Sequence, residues 1–437
     1  MNQPSGARIR TRRRLSLGRS SLLALVVASL VAPVGQATAG LRTQRLVSAG
    51  GNAVTDWATI AQDSIVVVAK KFPGIAPIFM TIVQAAVYDA VIAIEGGSTP
   101  YATDVDAPEG SSSEAATAAA AHDALVGLFP DQEESLDTIY SSYLAGIPEG
   151  QAKDDGIAVG QLAAAGILLL RADDGRDDVV PWIPPPSGPG VYEPTGPSPP
   201  LGVNMRFITP FTLDAASQFR PNGPDPLGSR AYARDLNEVE ELGRLDSQSR
   251  TAEQTEVARF WSEFALIQWT RGLNALAIGQ GLNIGQTARM IVMANMASAD
   301  GLIACFDAKY HYLFWRPVHA IQRADTDGNP GTESDASWAP LLGTPNHPEY
   351  PSAHACASTA LVRGLAEFFG TQEVAFSLDS MVTHTTHYYQ RFKDVVPEIA
   401  NARIWGGIHF RDATDDGAKI GRKVADWMVE RFFLPAG

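Results

Sequence analysis

Apolar residues recur at every third or fourth position in eight long segments of the chain, all rich in alanine, leucine and isoleucine. This spacing puts the apolar side chains on one face of a helix. Alternating apolar and polar residues, typical of half-buried strands, are scarce. The pattern therefore predicts an all-α fold, which we expect to consist of two stacked four-helix-type bundles with long Pro/Gly-rich loops. The predicted helices are 80–95, 113–128, 152–171, 229–243, 251–266, 285–306, 352–369 and 415–432.

Proline and glycine interrupt the helical pattern between residues 173 and 226, most densely in PPPSGP at 184–189. These residues favour turns and irregular chain. We expect this stretch to separate an N-terminal helical region, 40–200, from a C-terminal helical region, 201–437.

The first 39 residues have the composition of a cleaved secretory signal. They hold six arginines and no acids, then an apolar run at 22–34 and the small residues ATA at 37–39. The run is short for a bilayer span, so a stable membrane anchor is disfavoured. RRRL at 12–15 leaves general and twin-arginine export both open. The prediction is a secreted or periplasmic protein.

The chain is acidic, with 34 basic and 48 acidic residues and a formal net charge of -14, which removal of residues 1–39 would shift to -20. Nucleic acids and anionic membranes attract basic surfaces, so neither is an expected partner. Against this acidic background, a cluster of cationic side chains would indicate a site for an anion.

Three short segments supply such cations in the C-terminal region. Lys309 and Arg316 are seven residues apart, nearly two helical turns, so a continuous helix would carry both on one face. Arg403 and His409 are six apart, and the glycines at 406–407 between them should break a helix and let the chain fold back.

Ser352 stands in the segment PSAH and precedes a helical pattern. A helix beginning there would offer free backbone N–H groups, that of Ala353 included, and a hydroxyl donor. Each segment alone carries little information. Together they predict an oxyanion-binding site made by Lys309, Arg316, Ser352, Ala353 and Arg403.

The order K-x6-R-P, P-S-A-H and R-x5-H resembles the pattern of the vanadium-dependent haloperoxidases and the type 2 phosphatidic acid phosphatases, which form one superfamily. The flanking sequences FDAKYH (306–311), FWRPVHAI (314–321) and HPEYPSAH (347–354) are similar to its bacterial haloperoxidase-like branch. The likeness is strong over 260–434. Before that it is diffuse, with AAVYDA (85–90) the clearest match.

This resemblance implies a vanadate cofactor, with His409 as the ligand of vanadium and with hydrogen peroxide and a halide as substrates. His354 would act as the acid–base group, and Lys309 would also act in catalysis. The organic acceptor is not indicated, and a homodimer is possible for such helical proteins. A histidine at position 347, where related enzymes carry an aromatic residue or a histidine, implies bromide rather than chloride. An ordinary loop histidine is the alternative.

Two other functions remain open. An acid phosphatase of the same superfamily would use His409 as the nucleophile, through a phosphohistidine and without vanadate. An inactive oxyanion-binding protein is the third possibility. Ala353 stands where the family usually has glycine, and Ala402 where serine often precedes the arginine. Asp412 lies one residue before the position of the aspartate that orients the last histidine in the phosphatases.

Other candidate ligands have simpler interpretations. Cys305 and Cys356 lie in predicted helices, so we expect free buried thiols rather than a disulfide. The sequence DTDGN at 325–329 begins like a calcium loop but has alanine at the twelfth position, which favours a polar turn. His384 and His387 could share a helical face, but we expect no metal there because no matched third ligand is near.

Overall fold

The computed structural model describes residues 50–436, where thirteen α-helices and one β-hairpin make up the regular structure. The predicted export signal at 1–39 lies outside the described residues. The helices are α1 Ala53–Gln62, α2 Ala76–Glu95, α3 Ser113–Leu128, α4 Glu133–Leu144, α5 Gln151–Leu170, α6 Arg230–Gly243, α7 Ala252–Phe260, α8 Ala265–Gly279, α9 Ile284–Tyr312, α10 Pro317–Gln322, α11 Ala353–Phe369, α12 Val395–Trp405 and α13 Arg411–Val429. The hairpin pairs β1 Phe376–Ser380 with β2 Thr385–Tyr389 in antiparallel register.

The all-α prediction is confirmed, and most predicted helices differ from the observed ones by a few residues at their ends. The sequence pattern missed the short helices α1, α4, α10 and α12, nearly all of the longer helix α8, and the hairpin. Short elements carry too few apolar positions for a periodic signal.

The predicted helix over 251–266 was wrong as one element. The chain leaves the helical path between the end of α7 at Phe260 and the start of α8 at Ala265. Trp261 is buried at this break, where its indole nitrogen donates to Glu398 at 2.8 Å. A tertiary contact thus replaces helix continuation, and it leaves the Trp261 carbonyl free to accept another hydrogen bond.

The long helix α9 is the centre of the fold. Its side chains are buried along almost the whole length, and α2, α11 and α13 pack against it. By length and composition α2 and α9 could each cross a membrane, but their apolar windows are 89% and 100% buried inside the protein. Core helices of globular proteins have the same character. α2 belongs to the predicted N-terminal region and α9 to the C-terminal region, so the two regions pack against each other through these helices.

The turn between α12 and α13 has the predicted glycine break. α12 ends at Trp405, and Gly407 has a φ of 76°, which L side chains rarely adopt. A Cβ on Gly407 would lie 2.5 Å from the Gly243 carbonyl oxygen. The turn therefore requires glycine, and it places Arg403 and His409 on either side of a tight reversal.

We predict that Gly407→Ala destabilises the protein by about 2 kcal/mol or more, because it adds left-handed strain to a steric clash with backbone. Urea unfolding at equilibrium would measure the loss. Gly279→Ala is the matched control, since its Cβ would meet nothing within 4 Å, and its free energy of unfolding should change by less than about 1 kcal/mol. Equal stability of the two variants would contradict the role of this turn.

Candidate active site

The fold brings all three cationic segments to one place, although not along the predicted path. Lys309 lies in the last turn of α9, but Leu313, with a φ of 51°, ends that helix. Arg316 comes after the break, at the residue before α10. Lys309 and Arg316 therefore do not share the continuous helix that would have carried both on one face. They converge instead on the irregular segment 347–351.

Lys309 holds this segment from inside the protein. Its fully buried ammonium group donates to the carbonyl oxygens of Pro348 at 2.8 Å and Glu349 at 2.9 Å, and to that of Pro351. These bonds use all three donors of the side chain. Direct contact between Lys309 and an oxyanion remains a prediction.

Arg316 joins the same segment to His409. Its Nε donates to the His347 carbonyl at 2.8 Å, and Nη1 donates to the Ile408 carbonyl at 2.8 Å. Nη1 also lies 3.2 Å from His409 Nε2, and Nη2 lies 3.0 Å from His347 Nδ1. Both imidazoles thus face the guanidinium group through a nitrogen that can accept a hydrogen bond.

Glu349 is the partner of His409 that the sequence did not reveal. Its Oε1 lies 2.8 Å from His409 Nδ1 and also accepts the Phe410 backbone N–H at 3.0 Å. These contacts favour the tautomer with a proton on Nδ1 and an electron pair on Nε2, the nitrogen that faces Arg316 Nη1. Glu349 precedes His409 by sixty residues, so its position in HPEYPSAH gave no local sign of this contact.

Asp412 does not take that role. Its carboxylate accepts the Asp225 backbone N–H at 3.2 Å, and its own N–H donates to Asp235 at 2.8 Å. Burial and the nearby Asp416 and Asp225 raise the pKa of Asp412 to about 7. Asp412 departs from the position of the phosphatase aspartate, and the carboxylate that contacts His409 is that of Glu349 instead.

Several buried polar atoms lack a hydrogen-bond partner within the described part of the chain, and two of these donors belong to predicted oxyanion-binding residues. The Ser352 hydroxyl stands at the residue before α11 and is fully buried, but it does not cap that helix. Arg403 donates through Nη1 to the Trp261 carbonyl at 2.7 Å, while its Nε is unpaired. Buried donors are normally paired, so these two fit a ligand with several acceptor oxygens.

The charges at the site are unbalanced. Lys309, Arg316 and Arg403 are 0%, 0% and 4% exposed. Burial lowers their pKa values to about 8, 10 and 9, and Arg316 lowers that of Arg403 further. Burial raises the pKa of Glu349 to about 8 against the pull of Arg316 and Lys309. One carboxyl cannot offset three cations, and an oxyanion would supply the missing negative charge.

The histidines at the site are held neutral. Burial, together with the field of Arg316, Lys309 and Arg403, lowers the pKa values of His354 and His409 well below the ordinary value. The pKa of His347 is lowered in the same way by burial, Lys309 and Arg316. Neutral imidazoles can coordinate a metal centre or accept a proton.

The remaining candidates do not join this cluster as ligands. His384 and His387 are on the β-hairpin rather than a helix, and His387 lies between Glu398 at 2.8 Å and Glu256 at 3.0 Å. Cys305 and Cys356 are free buried thiols. Asp327 holds its loop through the Asn329 backbone N–H at 2.7 Å, as in a polar turn.

Comparison with known proteins shows what the C-terminal part of the chain and its fold are similar to. A family model described as the VCPO second helical-bundle domain matches residues 289–434, which contain all three motif segments. The crystal structure of the first bacterial vanadium-dependent iodoperoxidase is similar, with 25% sequence identity and a TM-score of 0.75, over 88% of this chain and 98% of that one. These likenesses support the vanadium-dependent haloperoxidase family.

A second solved structure shares the fold. A holo-type bacterial vanadium-dependent chloroperoxidase has a TM-score of 0.67 and 17% identity, over 82% of this chain and 92% of that one, which shows a shared fold. Comparison with curated proteins gives no significant match. The unpaired donors of Ser352 and Arg403 and the excess of buried cations fit a vanadate group, so the family's cofactor suits the residues present.

We predict that Glu349→Ala weakens binding of orthovanadate by about 10- to 100-fold, because His409 loses the partner that fixes its tautomer and orientation. Isothermal titration calorimetry with orthovanadate measures the change. Glu349→Gln keeps an oxygen acceptor for Nδ1 and should recover part of the affinity. Asp412→Ala is the control and should bind as the original protein does, and a loss in this variant equal to that in Glu349→Ala would contradict the assignment.

Proposed function

We propose that this protein is an exported vanadate-dependent haloperoxidase, which uses hydrogen peroxide to oxidise a halide to hypohalous acid and prefers bromide to chloride. The observation that carries the proposal is the arrangement around His409. A neutral imidazole, oriented by Glu349, presents Nε2 beside three buried cations and two unpaired donors. The likeness to a vanadium-dependent iodoperoxidase across most of both chains supports the same activity.

Vanadate would be held by His409 Nε2, Arg403 Nε, the Ser352 hydroxyl and the backbone N–H groups at the start of α11. When bound, it supplies a Lewis acid that activates peroxide toward a halide without changing its own oxidation state. Arg316 and Lys309 offset the negative charge from nearby, because their field acts in a buried, weakly screened site. His409 has to move little, since Glu349 already fixes its ring.

His354 is positioned to handle protons. It lies in the first turn of α11 beside the proposed cage and faces the cavity next to His409. Its pKa is lowered by burial and then by Arg403, so the free base is available to accept a proton from hydrogen peroxide. Returning that proton to the departing oxygen, together with one further proton from solvent, completes the balance, in which halide, hydrogen peroxide and one solvent proton give hypohalous acid and water.

His347 is the residue through which we propose that halide preference is set. Its Nδ1 lies 3.0 Å from Arg316 Nη2 and 3.2 Å from the Pro348 carbonyl oxygen, and in the tautomer without a proton on Nδ1 it accepts from the guanidinium group. Its ring stands 5.2 Å from that of Phe306. Because Nδ1 accepts a hydrogen bond from Arg316 Nη2, that N–H group cannot at the same time donate to a bound oxyanion and polarise it. A less polarised oxyanion is a milder oxidant, which suits bromide better than chloride.

We predict that the purified protein oxidises bromide with hydrogen peroxide only after loading with orthovanadate, and that His409→Ala lowers this rate by at least about 100-fold. Bromination of a phenolic dye measures the reaction. His384→Asn serves as the control because His384 is an exposed turn residue with a φ of 57°, which asparagine tolerates.

Hydrolysis of an aryl phosphate by the same preparations separates the alternatives. Phosphate release that needs His409, without bromination at any vanadate concentration, would replace the proposal by the phosphatase. Vanadate binding without either reaction would identify an inactive oxyanion-binding protein.

We predict that His347→Phe raises the ratio of chloride to bromide turnover by about tenfold, because it removes the acceptor that occupies Arg316 Nη2. Rates with chloride, bromide and iodide at saturating peroxide measure the ratio. His347→Gln is the control, since its amide oxygen can still accept from the guanidinium group. An unchanged ratio in His347→Phe would remove His347 from the control of halide preference.

A further inference from the structure

A cavity of about 630 Å³ opens directly from the proposed vanadate site. One end is formed by His347, His354, Arg403 and His409. Its other walls are mainly apolar, and the larger apolar side chains are Phe72, Phe264, Leu266, Trp269, Leu302, Phe306, Leu342 and Leu361. Cavities of this size and lining hold small organic molecules in many proteins. Peroxide and halide ions are far smaller and need no such space.

Two packed helices give the cavity an elongated shape. On α9, Asn295, Ser298, Leu302 and Phe306 are spaced three, four and four residues apart, so they form one stripe. α11 runs antiparallel beside α9, because Gly301 meets the Cys356 carbonyl and Gly364 meets that of Met293. The stripe from residue 295 to residue 306 spans about 16 Å.

The facing stripe on α11 starts at the proposed cage. Ala353, Ala357 and Leu361 recur every four residues and line the same cavity. Ala353 is the residue whose backbone N–H is expected to bind the oxyanion. The cavity is therefore continuous with the place where the oxidised halogen would form.

The walls beyond the cage carry no unbalanced charge. Glu263 is the one carboxylate among the lining residues, and Arg271 pairs with both of its oxygens at 2.8 and 3.0 Å. A charged ligand would lose its hydration there without gaining a partner. Asn295 and Ser298, at the end far from the cage, can form hydrogen bonds to a ligand. The cavity thus favours an uncharged, elongated molecule with at most a few polar groups.

We propose that this cavity binds the organic acceptor of halogenation, an uncharged apolar molecule with an electron-rich aromatic ring or carbon–carbon double bond. The inference rests on the proposed function. For an arene, hypohalous acid halogenates the bound acceptor: a carbon–halogen bond forms, the oxygen–halogen bond breaks, and the displaced proton leaves with hydroxide as water. Binding beside the site limits which carbon of the acceptor meets the halogen, so the products should differ from those of free hypohalous acid.

The first experiment measures binding without vanadate. 4-Hexylphenol is titrated into the full-length protein and followed by calorimetry and by tryptophan fluorescence, to which Trp269 in the cavity wall contributes. We expect saturable binding that Ala357→Leu weakens about tenfold, because the larger side chain fills the cavity. Ser298→Leu fills the opposite wall and is the second variant should the first not fold. Ala158→Leu, at an exposed alanine of α5, is the matched control and should bind as the original does.

The second experiment uses the vanadate-loaded protein and two reactions. Iodide oxidation to triiodide needs no organic acceptor, whereas bromination of 4-hexylphenol does. We expect the ratio of bromination to iodide oxidation to fall about tenfold in Ala357→Leu. The distribution of brominated isomers should move toward that given by reagent hypobromous acid.

The two experiments distinguish this proposal from the proposed function. Absence of iodide oxidation would overturn the haloperoxidase activity, while binding of 4-hexylphenol could still be observed. Iodide oxidation without saturable binding would overturn the acceptor cavity alone. Binding with an isomer distribution identical to that of reagent hypobromous acid would also overturn it, because the bound molecule would then not be the one halogenated. Preferential binding of a charged analogue, 4-hexylbenzoate, would likewise exclude an uncharged acceptor.

Discussion

The structure of the site depends on the burial of three cations in the interior of a helical protein. Such burial costs several kcal/mol per ion unless hydrogen bonds replace the lost water. Here backbone carbonyls replace much of the lost water. Lys309 donates to three carbonyls of the segment 348–351, and Arg316 donates to those of His347 and Ile408. Arg403 donates to the carbonyl of Trp261. All of these carbonyls lie in irregular chain, where helical hydrogen bonds do not use them. The helix breaks are thus what makes the buried charges tolerable.

Carbonyl dipoles stabilise the cations but do not neutralise them. The remaining positive field keeps the three histidines neutral and favours a multiply charged oxyanion among them. The unpaired donors of Ser352 and Arg403 point to the same requirement. A site organised in this way before its ligand arrives needs little rearrangement during reaction.

Much of the site was predictable because its chemistry is local. The motif segments contain the cations, the serine before a helix and the two histidines, and the glycines at 406–407 indicated the turn that separates Arg403 from His409. Glu349 was not predictable, since its link to His409 joins segments sixty residues apart. The end of α9 between Lys309 and Arg316 was not predictable either. Leu313 adopts a left-handed conformation that no glycine or proline announced.

The sequence by itself determined the helical class and the residue types of the proposed oxyanion site, because helical periodicity and short motifs are properties of neighbouring residues. Only the tertiary structure decided where helices stop, which carboxylate orients His409, and that an apolar cavity lies between α9 and α11 beside the site. These features depend on contacts between distant segments. The packing of α9 within the core, rather than the order of residues along the chain, brings those segments together.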